Sequence, residues 1–200
     1  MSIPLQSKSF PEFFRMPAKF GIQIASWRLA VHRDWGKKHT IDYLLRLTDR
    51  WVFDTLLATR AGAPRYAPIL LGDIAPEGGA KSADPVTDHK SHKSGVDLDL
   101  FIFRKDLAPA TTDIGRRNEY DFDLTLKLAL AIYRVGNPTE VERVFFDDRD
   151  VIRELHGKGF KTIGPDPGRI DPETKKMIAP PTPHRDHLHV RLRRTPPAGQ

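Results

Sequence analysis

Cysteine is absent from the chain. Its absence excludes disulfides, thiolate nucleophiles and Cys-type structural zinc sites, so any transition metal must be held by His, Asp or Glu. It leaves the redox compartment open. No stretch approaches the roughly 20 apolar residues of a membrane-spanning helix. Residues 1–20 show neither a continuous apolar run nor a small-residue cleavage site, so no signal peptide is expected there. No HExxH helix supplies a glutamate base, and no Ser-His-Asp constellation with a nucleophile elbow appears. Internal repeats are lacking as well.

What is present is basic and ordinary in bulk. Lys+Arg number 32 against 26 Asp+Glu, a net charge of +6. Such a surface attracts polyanions. The basic residues form no RNP-like or helix-turn-helix pattern, so a nucleic-acid partner is not expected. Hydrophobic residues at 39% and charged residues at 29% describe one globular domain with a buried core. We expect a single domain over 1–200, with an N-terminal arm at 1–35, a core at 36–193 and a flexible tail at 194–200. Phe10, Phe13, Phe14 and Phe20 are candidates to pack the arm onto the core.

The periodicity predicts the elements. Thr40 is a plausible helix cap, and Ile41, Leu44, Leu45, Thr48, Trp51 and Val52 fall on one face of a helix over 41–59. A short strand follows within 66–74, then a polar loop over 75–90. A strand carries Asp97 and Asp99 towards Phe103. After a basic connection, Asp121 or Asp123 caps a second helix that Gly136-Asn137-Pro138 should end. A strand at 141–146, a helix at 148–156, an irregular loop at 157–183 and a strand at 187–192 complete the chain. The order suggests an α+β fold with a small, mostly antiparallel sheet and helices packed on it.

Histidine marks the chemistry. Of the eight, five stand at 89, 92, 184, 187 and 189. Along a strand, side chains alternate faces, so Asp97, Asp99, Phe101 and Phe103 share one face and Val96, Leu98, Leu100 and Ile102 the other. Carboxylates rarely enter so apolar a run unless paired or bound to metal. A reversal at Gly95 can bring His92 back beside Asp99. His187 and His189 likewise share a face, with Leu188, Val190 and Leu192 opposite. One histidine and one aspartate from the first stretch, with one histidine from the second, make a His2Asp set with an open position, the arrangement of a catalytic zinc site. The remaining His187 would stand near the metal, placed to take a proton from water or to steady an oxyanion. His156 is isolated and expected at the surface, and His32 and His39 have no partner pattern.

The run Ser91 to Asp99, Ser-His-X-X-Gly-X-Asp-X-Asp, followed by His184 to Leu192, His-Arg-X-His-X-His-Val-Arg-Leu, resembles the penicillin-insensitive murein endopeptidases. These stand within the wider group of lysostaphin-type and D-Ala-D-Ala zinc peptidases that includes hedgehog domains. Gly72-Asp73 and His89 fit the same likeness. It implies a hedgehog/D,D-peptidase-like fold and a zinc ion (Zn2+) held by His92, Asp99 and His189, with His187 catalytic. His89 and His184 are implied near the site, Ser91 and Asp97 as supports of the ligands. Asp186 receives no role. Arg191, on the face of the histidines, is offered as a carboxylate-binding group. The implied substrate is the peptide cross-link of bacterial peptidoglycan, at D-alanyl-diaminopimelyl bonds. Action on the wall without a visible signal peptide suggests a phage-type or signal-independent release. Rival expectations are a D,D-dipeptidase or carboxypeptidase acting on smaller wall peptides, and a non-catalytic zinc-bound binding module.

Overall fold

The computed structural model describes residues 5–6, 13–26, 34–60, 67–75, 92–108, 110–165, 169–170, 177–178 and 184–194. The strands are β1 (Phe13–Arg15), β2 (Ile22–Ile24), β3 (Trp35–Lys37), β4 (Ile69–Leu71), β5 (Asp97–Phe101), β6 (Val141–Phe145), β7 (Ile163–Gly164), β8 (Arg169–Ile170), β9 (Met177–Ile178) and β10 (His187–Leu192). The helices are α1 (Lys38–Arg60), α2 (Phe122–Glu140) and α3 (Arg149–Gly157).

A six-stranded sheet, ordered β2-β4-β5-β10-β6-β7, carries the fold. Its inner pairings, β4·β5, β5·β10 and β10·β6, are antiparallel, whereas β2·β4 and β6·β7 at the edges are parallel. The class is α+β as expected, with the large sheet mixed. Two-stranded antiparallel pairs, β1·β3 and β8·β9, are also present among the described residues. The last of these lies within the 157–183 segment, which was expected to be irregular.

The sheet is two-faced because its strands alternate. Leu98, Leu100, Leu188 and Val190 point to the helices and are fully buried, together with Ile41, Leu44, Leu47 and Trp51 of α1 and Leu124, Leu128 and Ile132 of α2. Burying each such side chain is worth about 1.5–3 kcal/mol, so this face holds the domain together. Tyr43 of α1 donates its hydroxyl to the Ile132 carbonyl of α2 at 3.0 Å, tying the helices where no water reaches. The other face of β5 and β10 carries Asp97, Asp99, His187 and His189.

Several local expectations need correction. Helix α1 begins at Lys38, directly after β3, so Thr40 is a buried residue of the first turn and not the cap. Helix α2 continues through Gly136-Asn137-Pro138 to Glu140. Proline removes one ladder donor near the helix end without stopping it, and the glycine serves packing: a Cβ at Gly136 would meet Val141 Cγ2 at 2.5 Å and Tyr43 Cε2 at 3.0 Å. Asp121 does cap α2, accepting from Leu124 N. Strand β5 ends at Phe101, so alternation fails beyond it. Phe103 turns into the helix-side core and stacks on Trp51, ring centroids 5.0 Å apart. Phe14 packs against the core, but Phe20 is exposed.

The polar loop at 75–90 and the tail expected at 194–200 fall outside the described residues except for Ala75 and Arg194, as do Phe10 and His32.

Candidate metal centre

The centre is assembled by strand register. Across β5 and β10, His187 stands opposite Phe101, His189 opposite Asp99, and Arg191 opposite Asp97. Asp99 is further pinned by β4: Gly72 N donates to the Asp99 carbonyl at 2.8 Å, and Asp99 N donates to the Asp73 carbonyl at 2.8 Å. That close approach needs glycine, since a Cβ at Gly72 would lie 2.8 Å from the Phe101 ring and 3.2 Å from Asp99 Cβ.

His92 enters from a short 3-10 turn, His92–Ser94, followed by Gly95 at φ +69°, the left-handed conformation that suits glycine. The turn returns its imidazole to Asp99, with Nε2 3.3 Å from Oδ2. Nδ1 donates to the Ile74 carbonyl at 2.7 Å. A carbonyl only accepts, so the proton sits on Nδ1 and Nε2 is presented to the centre.

His189 is held at both nitrogens. Nδ1 lies 2.9 Å from Asp99 Oδ1 and Nε2 lies 3.0 Å from Asp97 Oδ1. Asp97 in turn accepts from Arg191 Nε at 2.8 Å and from Ser94 Oγ at 3.2 Å. His187 places Nε2 3.5 Å from Asp99 Oδ1, while its Nδ1 meets Asp186 Oδ1 at 2.6 Å. The turn before β10 is clamped from three sides: Asp147 N donates to the His184 carbonyl, Ile114 N to Arg185 and Ile102 N to Asp186.

Electrostatics follow from this packing. Burial opposes the charge on Asp99, but the His92 and His187 imidazoles and the His189 hydrogen bond hold its carboxyl well below the usual range. Burial likewise opposes charge on His189, yet hydrogen bonds to Asp97 and Asp99 push it up to about 9. His92 and His187 are raised by Asp99 against the same burial penalty, His187 with help from Asp186. The centre is therefore a buried anion pair that demands positive charge, which imidazole protons or a metal cation can supply.

The donor set fits a cation. His92, Asp99 and His189, all buried, offer ligand atoms within 4.8 Å of one another. His92 Nε2 and His189 Nδ1 face the Asp99 carboxylate, and their remote nitrogens are fixed by the Ile74 carbonyl and by Asp97, the outer hydrogen bonds that orient metal-binding histidines. His184, His187 and His189 form a second convergent group that shares His189, the His184 ring lying 5.0 Å from that of His187 and 5.3 Å from that of His189.

The structure thus brings together His92, Asp97, Asp99, His184, His187, His189 and Arg191. His89 and Ser91 lie outside the described residues. Arg191 engages Asp97 through Nε. His156, expected at the surface, is half-buried and hydrogen-bonded to the Ile163 carbonyl at 2.9 Å. Sequence reasoning missed Asp186, whose position just before His187 was the available signal. It also missed Phe145, whose ring lies 5.6 Å from His189 and 5.7 Å from His184.

A family model described as penicillin-insensitive murein endopeptidase matches residues 15–200. No curated protein matches the chain.

Proposed function

Because the chain belongs to the penicillin-insensitive murein endopeptidase family, we propose that it is a zinc-dependent hydrolase of peptidoglycan cross-links, a D,D-endopeptidase acting on D-alanyl-diaminopimelyl bonds. The observation that carries the reading is the convergence of His92, Asp99 and His189 beside a fourth side chain, His187, that is oriented by its own carboxylate. Two imidazoles and a carboxylate, with no thiolate in the chain, suit zinc among the divalent ions. Zinc held by His92, Asp99 and His189 would polarise the scissile carbonyl and lower the pKa of water to about 7.

The chain's own residues supply the rest. Asp99 neutralises the cation, and the Ile74 carbonyl and Asp97 keep the two imidazoles in the ligating tautomer. His187 Nε2 takes the proton of the attacking water and delivers it to the leaving amine, as general base and then general acid. Asp186, on Nδ1, keeps that ring turned so that Nε2 faces the reaction. The enzyme acts at the cell wall, in the periplasm or outside the cell. Among the described residues no helix is long and apolar enough to cross a membrane.

The test is digestion of purified sacculi. Release of uncross-linked muropeptides by the zinc-loaded protein, lost in His187→Ala, is the expected result. Zinc-loaded protein that leaves the sacculi cross-linked sinks the reading and favours a binding module.

A further inference from the structure

The face that bears the histidines extends beyond them into a basic row. Register across β5, β10 and β6 places Asp97, Arg191 and Arg143 side by side, next to the row of Asp99, His189 and Phe145. Arginines directly opposite on neighbouring strands destabilise a sheet unless something compensates. Here the compensation is partial. Arg191 Nε donates to Asp97 at 2.8 Å. Both guanidinium carbons lie near the Phe145 ring, Arg143 at 5.3 Å and Arg191 at 5.5 Å from its centroid. Asp97 is already bound by His189, Ser94 and Arg191. Arg143 is exposed and meets no carboxylate among the described residues. Among the described residues the row therefore keeps one positive charge uncompensated, held against the aromatic plate that also borders His189 and His184.

We propose that Arg143, with Arg191 beside it, is a specificity-determining group that receives a free carboxylate of the peptide substrate flanking the scissile amide. The assignment rests on the cross-link hydrolase reading and names which part of that substrate the site selects. Distance favours it. Residues two apart on a strand are about 7 Å apart, so the guanidinium row lies one short step from the metal ligand His189. In a cross-link closed onto a diamino acid, the carbon bonded to the scissile nitrogen carries a carboxylate, three bonds from the scissile carbonyl carbon. Chemistry favours it too, since a guanidinium fork matches a carboxylate in two parallel hydrogen bonds where an ammonium does not. Arg143 is the cleaner probe of the two, because Arg191 also holds Asp97 and through it His189.

The experiment compares two cross-linked muropeptide dimers, one with the diaminopimelyl carboxylate next to the scissile bond free and one with it amidated. Wild-type enzyme is expected to prefer the free dimer by about tenfold in kcat/KM, through KM, with the preference shrinking as salt is raised. Arg143→Gln should raise KM for the free dimer about tenfold and abolish the preference, with bound metal unchanged. Arg143→Lys should restore only part of it. Equal cleavage of both dimers by wild type, or an Arg143→Gln defect that falls equally on both, would overturn the assignment while leaving the hydrolase reading intact. Cleavage of neither dimer by zinc-loaded wild type would overturn both.

Discussion

Asp186 Oδ1 lies 2.6 Å from Nδ1 of His187, and the opposite nitrogen of the same ring faces Asp99 across 3.5 Å. Neighbours in sequence, the two residues form a carboxylate–imidazole couple at the mouth of β10. Burial opposes ionisation of Asp186, but the His187 hydrogen bond holds its carboxyl below the ordinary value. Asp186 is thus a standing anion that fixes the tautomer of His187.

Asp186→Asn should lower kcat by roughly 10- to 100-fold with KM and bound metal unchanged, whereas His187→Ala should cost about 100- to 10,000-fold. Loss of the anion lowers the His187 pKa, so the acidic limb of kcat/KM should move to lower pH in Asp186→Asn. A purely structural role for Asp186 would leave the position of that limb unchanged.

The proposed site divides the work of the β5 aspartates. Asp99→Ala removes the carboxylate proposed as a ligand and should abolish tight zinc binding. Asp97→Asn replaces the carboxylate at His189 Nε2 with a neutral amide and should weaken zinc by about 10- to 100-fold without abolishing it. Elemental analysis after dialysis against graded chelator separates the two outcomes; equal retention by both variants would refute the division.

With His189 as a proposed ligand, protonation and metal would compete there. In the metal-free chain its pKa rises from 6.5 to about 9, so its stabilising contribution is full below 6.5 and is lost as pH climbs through 9. That change is of order 3 kcal/mol at most. Asp97 and Asp99 are depressed below 3.8, so their contribution is present above that pH and lost below it. Metal-free protein should therefore be most stable between about pH 4 and 6.5, by denaturant unfolding across pH. Ligation needs the Nδ1 proton removed, so zinc affinity should rise about tenfold per pH unit up to pH 9 for each proton released.

Away from the centre, Asp148 serves two masters. Oδ1 caps α3, accepting from Asp150 N at 2.8 Å and Val151 N at 3.2 Å, and Oδ2 accepts the Tyr120 hydroxyl at 2.8 Å. Burial and this carboxylate push the Tyr120 phenol far up. Asp148→Ala should cost about 2–3 kcal/mol, a fall of roughly 4–12 °C in Tm, while Tyr120→Phe costs about 1 kcal/mol. Calorimetry checks both, with zinc content expected to stay at the wild-type level.

Much of this is legible in the sequence, for a physical reason. Leu98 and Leu100, alternating with Asp97 and Asp99, announce a strand with one apolar face, and His187-Leu188-His189-Val190 repeats the code. Two such strands paired in register must put their polar residues on one face, and Gly95 marks the turn that returns His92. The edge strands β2 and β7, three and two residues long, are too short to show a period. Helix α2 runs past Gly136, where the missing Cβ leaves room for Tyr43 of α1, a neighbour distant in sequence that no local stop signal shows. Arg143 and Phe145 could not be connected to the centre from spacing alone, because only the β6·β10 register brings them beside Arg191 and His189.

The central claim is that His92, Asp99 and His189 hold one metal ion on which murein hydrolysis depends. Its most direct test is a back-titration of chelator-stripped protein with zinc, following muropeptide release from sacculi. The account predicts no activity without metal and a linear rise that saturates at one zinc per chain, with His189→Ala silent throughout. Full activity in the stripped protein, or activity in His189→Ala equal to wild type, would contradict it.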